Sequence, residues 1–407
     1  MVARLSLLQV VLSLIICACR SDDFYQLRSM QQSEMKQHNE SHTPLTLAHI
    51  RTWVTGFWLD YKVVAAVILG GLLFVIVTRQ FLRVSTTSDV FKLVKSSNAL
   101  DALTQCSASG LWKLRTSNGN NLDGTGTVIA ILDSAVDLQY PTLQGKYIPT
   151  VDCIRSPVVF TEHGTLCTVV AIGTGVEKDG VFLPEGVAPQ ANCIAYRVAE
   201  NNLCDSKAIL DALDDIEKKI KNENIQVDVV SISHDIPDRH DEIREKISKL
   251  TKSKVVFVAA AGNSGSYQHQ SCFPARLDCV ISVGALDRYG RESKFTSQGR
   301  IDVFAPGEDI SFAEKIHAGS SFVAPAIGGL VLLLKQHAKE IGPPACDHIH
   351  RVEILKKIFA EDMVVTSGRG KKIFAPKEFF KQVTSGHHDL NEIVKKHLQA
   401  LEAMEIN

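Results

Sequence analysis

Short apolar runs rich in β-branched residues alternate with amphipathic stretches along the middle of the chain. Five runs predict buried strands, at residues 127–132, 193–198, 227–232, 255–260 and 280–283. The runs are mostly apolar rather than alternating, which is typical of strands covered on both faces. Residues 207–222 and 240–253 place their apolar side chains on one face and predict helices. This alternation indicates an α/β fold with a doubly wound, mainly parallel sheet.

The first hundred residues carry a different pattern. A mostly apolar run follows Arg4 and ends in small residues, as in a signal peptide or an anchor. Residues 63–77 are an unbroken apolar run behind an aromatic shoulder, which predicts a membrane-spanning segment. The predicted organisation is a signal peptide or anchor (1–20), a polar and disordered segment (21–52), a transmembrane segment (53–82), a linker (83–109), a globular domain (110–360) and a C-terminal helical tail (361–407).

The side of the membrane on which the globular domain lies stays open. A slight excess of Lys and Arg after the apolar run favours an inward-facing C-terminal part. Eight of the ten cysteines lie beyond residue 100, and an even number suits an oxidising compartment. However, Cys193 and Cys279 fall within predicted strands, where a free thiol is an ordinary core residue.

Composition narrows the classes of function. The chain has 407 residues, of which 45% are hydrophobic and 22% are charged, as in ordinary globular proteins. The formal net charge is −1, so no broad positive field is available to bind polyanions. We therefore expect a globular domain that does not bind nucleic acid.

Four polar residues follow strands or precede helices of the predicted sheet. Asp133 ends the first strand, His163 precedes an apolar helical run, Asn263 follows the strand at 255–260, and Ser321 lies near a helix start. Taken singly, each fits a helix cap or a turn. Because parallel sheets place their chemistry at the carboxyl ends of the strands, the four could also meet at one site.

Together these side chains have the composition that acyl transfer requires. A serine hydroxyl is a weak nucleophile unless a base takes its proton, and histidine suits that exchange near neutral pH. A carboxylate on the other ring nitrogen fixes the tautomer, which is the part that we expect Asp133 to play for His163. Asn263 and the backbone N–H of Ser321 would then stabilise the tetrahedral oxyanion.

With these four residues in this order, the chain resembles a known family, the subtilisin-like serine proteases (peptidase family S8). Eight stretches occur in the family's order: VIAILDSAVD (128–137), EHGTLCTVVAIG (162–173), GVAPQANCIAYRV (186–198), VVFVAAAGNSGS (255–266), CVISVGALD (279–287), KFTSQG (294–299), VFAPGEDI (303–310) and GSSFVAPAIGGLVLLLK (319–335). The resemblance implies a seven-stranded, mainly parallel sheet and endopeptidase activity on polypeptides. It also implies a catalytic triad of Asp133, His163 and Ser321, with Asn263 in the oxyanion hole. Cys167 resembles the buried cysteine of the proteinase K branch.

One departure from the family's pattern lies next to the expected substrate cleft. The family normally has Ser-Leu-Gly-Gly after the strand at 227–232, whereas this chain reads Ser233-His234-Asp235-Ile236. The resemblance places substrate against Ser233, His234 and Asp235 and the facing residues Ala260 and Gly262. Side chains in place of glycine could narrow this cleft or could change its specificity, and both alternatives stay open.

The leading hypothesis is therefore a membrane-tethered serine endopeptidase without a required cofactor. Calcium is common in the family, but the acidic residues of this sequence assign no calcium site. The alternative from another class is a catalytically impaired, protease-shaped module that binds peptides. A nucleotide-binding enzyme is disfavoured because Gly124 and Gly126 precede the first strand instead of following it.

Overall fold

The computed structural model describes residues 114–116, 118–158, 161–178, 181–183, 185–200, 203–267, 270–312, 315–366 and 372–405. The predicted signal peptide or anchor, polar segment, transmembrane segment and linker lie outside these residues. Within the described residues, one helix has the length and composition to cross a membrane, Ser320–Ile341, and it is buried inside the domain.

Seven parallel strands form the central sheet. They are β1 (Val128–Asp133), β2 (Thr150–Asp152), β3 (Asn192–Arg197), β4 (Val229–Ile232), β5 (Val256–Ala260), β6 (Val280–Leu286) and β7 (Val303–Pro306). Their order across the sheet is β7-β6-β5-β4-β1-β3-β2, and every neighbouring pair is parallel. The prediction of a mainly parallel α/β sheet is confirmed, and the five predicted runs are its five inner strands.

Helices cover both faces of this sheet. The described helices are α1 (Glu162–Ile172), α2 (Ser206–Asn222), α3 (His240–Lys252), α4 (Ser320–Ile341), α5 (Ala345–His348), α6 (Val352–Lys357), α7 (Pro376–Thr384) and α8 (Leu390–Glu405). Single helical turns lie at Pro141–Leu143, Gly265–Tyr267 and Ile358–Asp362. Short antiparallel pairs join Val176–Lys178 to Val181–Leu183, Ala199–Glu200 to Leu203–Cys204, Ile310–Phe312 to Lys315–His317, and Val364–Thr366 to Lys372–Phe374.

The two faces of β1 show why its sequence is apolar up to Asp133. Ile129 and Ile131 are buried in the hydrophobic layer that contains α1 and α4. Ala130 and Leu132 are buried in the opposite layer, which contains the apolar faces of α2 and α3. Because successive side chains of a strand point to opposite faces, burial of both faces requires apolar residues at every position.

Helix α4 is the central helix of one layer, and its position determines where its first residues lie. Its residues are buried from Ser320 to Ala338. A Cβ added to Gly329 would lie 2.6 Å from the Cβ of Val187, so the helix approaches this neighbouring segment closely. Farther along, Lys335 Nζ contacts Asp228 Oδ1 at 3.1 Å and donates to the carbonyl oxygen of Lys254 at 2.8 Å. These contacts fix the helix against the sheet and hold its amino end near the ends of β1 and β4.

The C-terminal tail packs on the domain. Phe380, Leu390 and Val394 are buried in the same layer as α4. His397, also buried, lies 2.6 Å through Nε2 from a carboxylate oxygen of Asp362. Helix α8 lies within the segment for which the sequence predicts a helical tail, and its apolar face packs on the domain.

Candidate active site

A buried carboxylate lies at the end of β1. Asp133 is 1% exposed, and its Oδ1 accepts hydrogen bonds from the backbone N–H of Ser134 at 2.7 Å and from the Ser134 hydroxyl at 3.3 Å. The second oxygen, Oδ2, is buried and has no hydrogen-bond partner among the described residues. A charge in this position needs compensation from neighbouring groups.

His163 provides part of that compensation. It is the second residue of α1, and its Nδ1 lies 2.8 Å from Asp133 Oδ1. The next residue, Gly164, allows this approach, because an added Cβ would lie only 2.3 Å from the carbonyl oxygen of Ser134. The imidazole remains 21% exposed, so it can be reached from solvent.

A second histidine contacts the same oxygen. His234 follows β4, is 9% exposed, and has its Nε2 3.3 Å from Asp133 Oδ1. The centroids of the His163 and His234 rings are 4.9 Å apart. The sequence comparison placed His234 against substrate, and it did not foresee this contact. No local pattern in the sequence marks this contact, because it follows from the pairing of Ile232 with Leu132 across the sheet, which places the residues just beyond β4 beside the end of β1.

These contacts shift the pKa values of both partners. Burial alone would raise the pKa of the Asp133 carboxyl, but the charges of His163 and His234 hold it well below 3.8. Burial would lower the pKa of His163, yet the negative charge of Asp133 outweighs this effect and raises the pKa above 6.5. The Asp133 carboxylate therefore stays ionised, and it stabilises the protonated form of His163.

Ser321 lies beside this pair, but its hydroxyl points elsewhere. Ser321 Oγ donates to the carbonyl oxygen of Ser233 at 3.1 Å, and the Ser233 hydroxyl donates to the carbonyl oxygen of Ser321 at 2.8 Å. No hydrogen bond joins Ser321 Oγ to His163 in the described part of the chain. The thiol of Cys167 lies near both residues, with Sγ 3.9 Å from His163 Nδ1 and 3.5 Å from the carbonyl oxygen of Ser321.

The buried Cys167 has little thiolate character. Burial raises the pKa of its thiol to about 11, so the group is neutral near physiological pH. Its Sγ also lies 3.6 Å from the Ser233 hydroxyl. Cys167 therefore packs among the polar residues of the site as a small neutral side chain.

Asn263 is tied to the amino end of α4 and remains exposed. Its Oδ1 accepts hydrogen bonds from the backbone N–H and the hydroxyl of Ser320, both at 2.9 Å. These two bonds fix the orientation of the amide. Its Nδ2 lies beside Gly319, where an added Cβ would be 3.2 Å away. The amide N–H groups therefore lie next to the segment that carries Ser321.

The other predicted substrate residues are held by bonds within the domain. Asp235 accepts a hydrogen bond from the backbone N–H of Phe273 at 3.1 Å, although its side chain is exposed. The backbone N–H of Gly262 donates to the Ser320 hydroxyl at 3.2 Å. Ala260 is buried and pairs with Val283 at the end of β5. The structure thus brings Gly262 and Ser233 to the start of α4, whereas Ala260 remains part of the sheet.

The described residues assign no calcium site. The group in this part of the chain that brings three His, Cys, Asp or Glu ligands together is Asp133, His163 and His234, whose ligand atoms lie within 4.8 Å of one another. Calcium prefers six to eight oxygen ligands. Two imidazole nitrogens and one carboxylate do not fit that preference.

Comparison with known proteins identifies one protein family. Residues 124–358 match the subtilase family, Peptidase S8. The thermophilic serine proteinase of Bacillus sp. (strain AK1) is 30% identical, over 53% of this chain and 53% of its own length. The intracellular serine protease of Paenibacillus polymyxa is 30% identical, over 54% of this chain and 69% of its own length. The chain thus spans about half of the first relative and somewhat more of the second.

The fold is also found among solved structures. A mutant of the protease domain of PatA matches with a TM-score of 0.50 and 23% sequence identity, over 66% of this chain and 98% of that domain. This likeness shows the shared fold. Since the family match covers more than half of the 407 residues and includes Asp133, His163, Asn263 and Ser321, the chain belongs to the subtilase family of serine proteases.

Proposed function

We propose that this chain is a membrane-tethered serine endopeptidase that hydrolyses peptide bonds through an acyl-enzyme. Asp133, His163 and Ser321 form its catalytic triad, and Asn263 contributes to its oxyanion hole. The observation that carries the proposal is the 2.8 Å contact between His163 Nδ1 and Asp133 Oδ1, beside the helix start that bears Ser321.

The first step requires a change at Ser321. Its hydroxyl must leave the carbonyl oxygen of Ser233 and turn to Nε2 of His163, the ring nitrogen that faces away from Asp133. The loss of one such hydrogen bond costs about 0.5–1.5 kcal/mol net. This cost is small beside the roughly 8–23 kcal/mol by which enzymes lower barriers. The turn also frees the Ser233 carbonyl oxygen, which can then accept a backbone N–H of the substrate.

The remaining steps follow from the positions of the side chains. His163 takes the proton of Ser321 as Oγ attacks the scissile carbonyl carbon, and it gives that proton to the leaving amine as the C–N bond breaks. It then takes a proton from the water that attacks the acyl-enzyme and returns it to Ser321 Oγ as the acyl group leaves. Asp133 keeps the Nδ1–H tautomer in place and stabilises the imidazolium. The oxyanion receives hydrogen bonds from Asn263 Nδ2 and from the backbone N–H of Ser321, where the positive end of the α4 dipole adds to the field.

A second candidate function is a peptide-binding module that does not cleave. The observation in its favour is the hydrogen bond between Ser321 Oγ and the carbonyl oxygen of Ser233, which turns the hydroxyl away from His163. The two candidates differ in what happens to a bound peptide: the enzyme releases two fragments, whereas the module returns the peptide intact.

A covalent probe tests the nucleophile. We expect a fluorophosphonate to label the folded full-length chain at Ser321, because only an activated serine reacts at a useful rate. Labelling is followed by gel fluorescence, and the adduct is located by peptide mass spectrometry. Ser321→Ala should abolish labelling. An adduct on the neighbouring Ser320 would overturn the assignment of Ser321 as the nucleophile, whereas a folded chain that does not react would argue for the non-cleaving module.

The oxyanion hole is tested by truncation of its side-chain donor. Asn263→Ala should lower kcat by about 10²–10³-fold with a smaller effect on KM, because the hydrogen bond forms mainly in the transition state. Since Asn263 also anchors Ser320, circular dichroism and thermal melting should accompany the kinetics. A loss confined to KM would assign Asn263 to substrate binding instead.

The raised pKa of His163 predicts the pH dependence. The neutral imidazole is the active form, so activity is lost as the pH falls through the pKa of His163. Because that pKa lies above 6.5, the acidic limb of kcat/KM should lie on the alkaline side of 6.5. Peptide hydrolysis is measured across pH with a chelator present. Asp133→Asn removes the charge that raises the pKa, so the limb of its residual activity should move to lower pH; an unchanged limb would contradict this assignment.

The tether is tested on membranes. The full chain should remain in the pellet after an alkaline carbonate wash, because residues 63–77 are continuously apolar. Leu69→Lys and Leu73→Lys together should release the chain, because inserting each charge near the centre of a span costs about 2.5–3.5 kcal/mol. Alanines at the same two positions are the matched control and should stay in the pellet. Release of the unaltered chain would rule out the tether.

A further inference from the structure

The catalytic carboxylate has two imidazole neighbours where a triad needs one. His163 Nδ1 and His234 Nε2 lie 2.8 Å and 3.3 Å from the same oxygen of Asp133. The three ligand atoms lie within 4.8 Å of one another, and the side chains are 21%, 9% and 1% exposed for His163, His234 and Asp133. The triad proposed above uses His163 and Asp133, and it assigns no proton transfer to the second imidazole.

A second observation concerns the other oxygen of the Asp133 carboxylate. Asp133 Oδ2 is buried and has no hydrogen-bond partner among the described residues, although Oδ1 on the same carboxylate has four polar contacts. A buried carboxylate oxygen without a donor is costly. A metal ion bound to this carboxylate would compensate the charge on that oxygen.

We infer that Asp133, His163 and His234 bind Zn²⁺, and that the bound ion switches off the proposed peptidase. Two imidazoles and one carboxylate with an open fourth position form a common zinc ligand set. Bond lengths of about 2.0–2.2 Å place tetrahedral zinc ligands roughly 3.3–3.5 Å apart. The observed separations require small side-chain shifts to reach this geometry, and the ring protons that face Asp133 pass to solvent.

Inhibition follows from the nitrogen that the ion occupies. Zinc on Nδ1 of His163 forces the neutral ring to carry its proton on Nε2. That nitrogen is the one that must accept the proton of Ser321, so the general base is lost even if nothing blocks the cleft. The inhibitory effect rests on the proposed function, whereas zinc binding itself does not.

Calorimetry with zinc chloride tests the site directly. The full-length chain with Ser321→Ala is used, so that no self-cleavage intervenes. We expect one Zn²⁺ to bind, with affinity lowered more than about tenfold by His234→Gln. His317→Gln is the matched control, because His317 lies near the site, with its ring 6.0 Å from that of Phe322, but outside the cluster. Equal binding with and without His234 would overturn the inference.

Two further measurements separate the possible failures. Cys167→Ala should retain zinc binding, and a loss of binding there would assign the ion to the thiol and overturn the inference. In the chain with Ser321 intact, zinc should inhibit peptide hydrolysis, EDTA should restore it, and His234→Gln should require more than about tenfold more zinc. Zinc binding in a chain that hydrolyses no peptide would leave the site standing and reject the peptidase. Hydrolysis that zinc leaves unchanged would overturn the switch.

Discussion

The site depends on the burial of one negative charge. Asp133 ends β1 inside the domain, where an uncompensated carboxylate would cost several kcal/mol. Compensation comes from the N–H of Ser134 and from the two imidazoles, and each of these groups is positioned by a different element. The requirement to neutralise this charge therefore draws α1 and the segment after β4 to the end of β1.

Asp228 is a second buried aspartate, and contacts with lysines compensate its charge. Asp228 contacts Lys335 at 3.1 Å and Lys339 at 3.4 Å, and its Oδ2 also accepts the backbone N–H of Val128 at 3.0 Å. Two lysine side chains thus compensate it. Asp133 is paired instead with imidazoles, whose protons can be exchanged or replaced by a metal. A buried carboxylate is thus compensated by lysine side chains at one end of α4 and by histidine side chains near the other.

The sequence predicts the sheet well because burial on both faces leaves a direct mark. Ile129 to Leu132 are apolar at every position, and the other four inner strands are mostly apolar. The two outermost strands escaped prediction. β2 and β7 have three and four residues and keep partly exposed positions, so their hydrophobic signal is too short to separate from a loop.

Prediction of the site was less complete, for a different reason. Residue types and their order could place Asp133, His163, Asn263 and Ser321 at strand ends and helix starts, but side-chain direction depends on the tertiary environment. Ser321 Oγ donates to the carbonyl oxygen of Ser233, and the His234 ring contacts Asp133. Both contacts depend on β4 lying next to β1, a neighbour relation set by sheet topology and not by local sequence.

The inward turn of His234 changes how the departure from the family's pattern should be understood. A leucine at this position could not donate a hydrogen bond, whereas a histidine adds a donor to the carboxylate that already holds His163. His234 is only 9% exposed, so little of its bulk faces the solvent from which substrate arrives. The histidine at this position therefore acts on the electrostatics of Asp133, and through that carboxylate on His163. The chain therefore keeps Asp133, His163 and Ser321 but surrounds the carboxylate with one more imidazole than a leucine would allow.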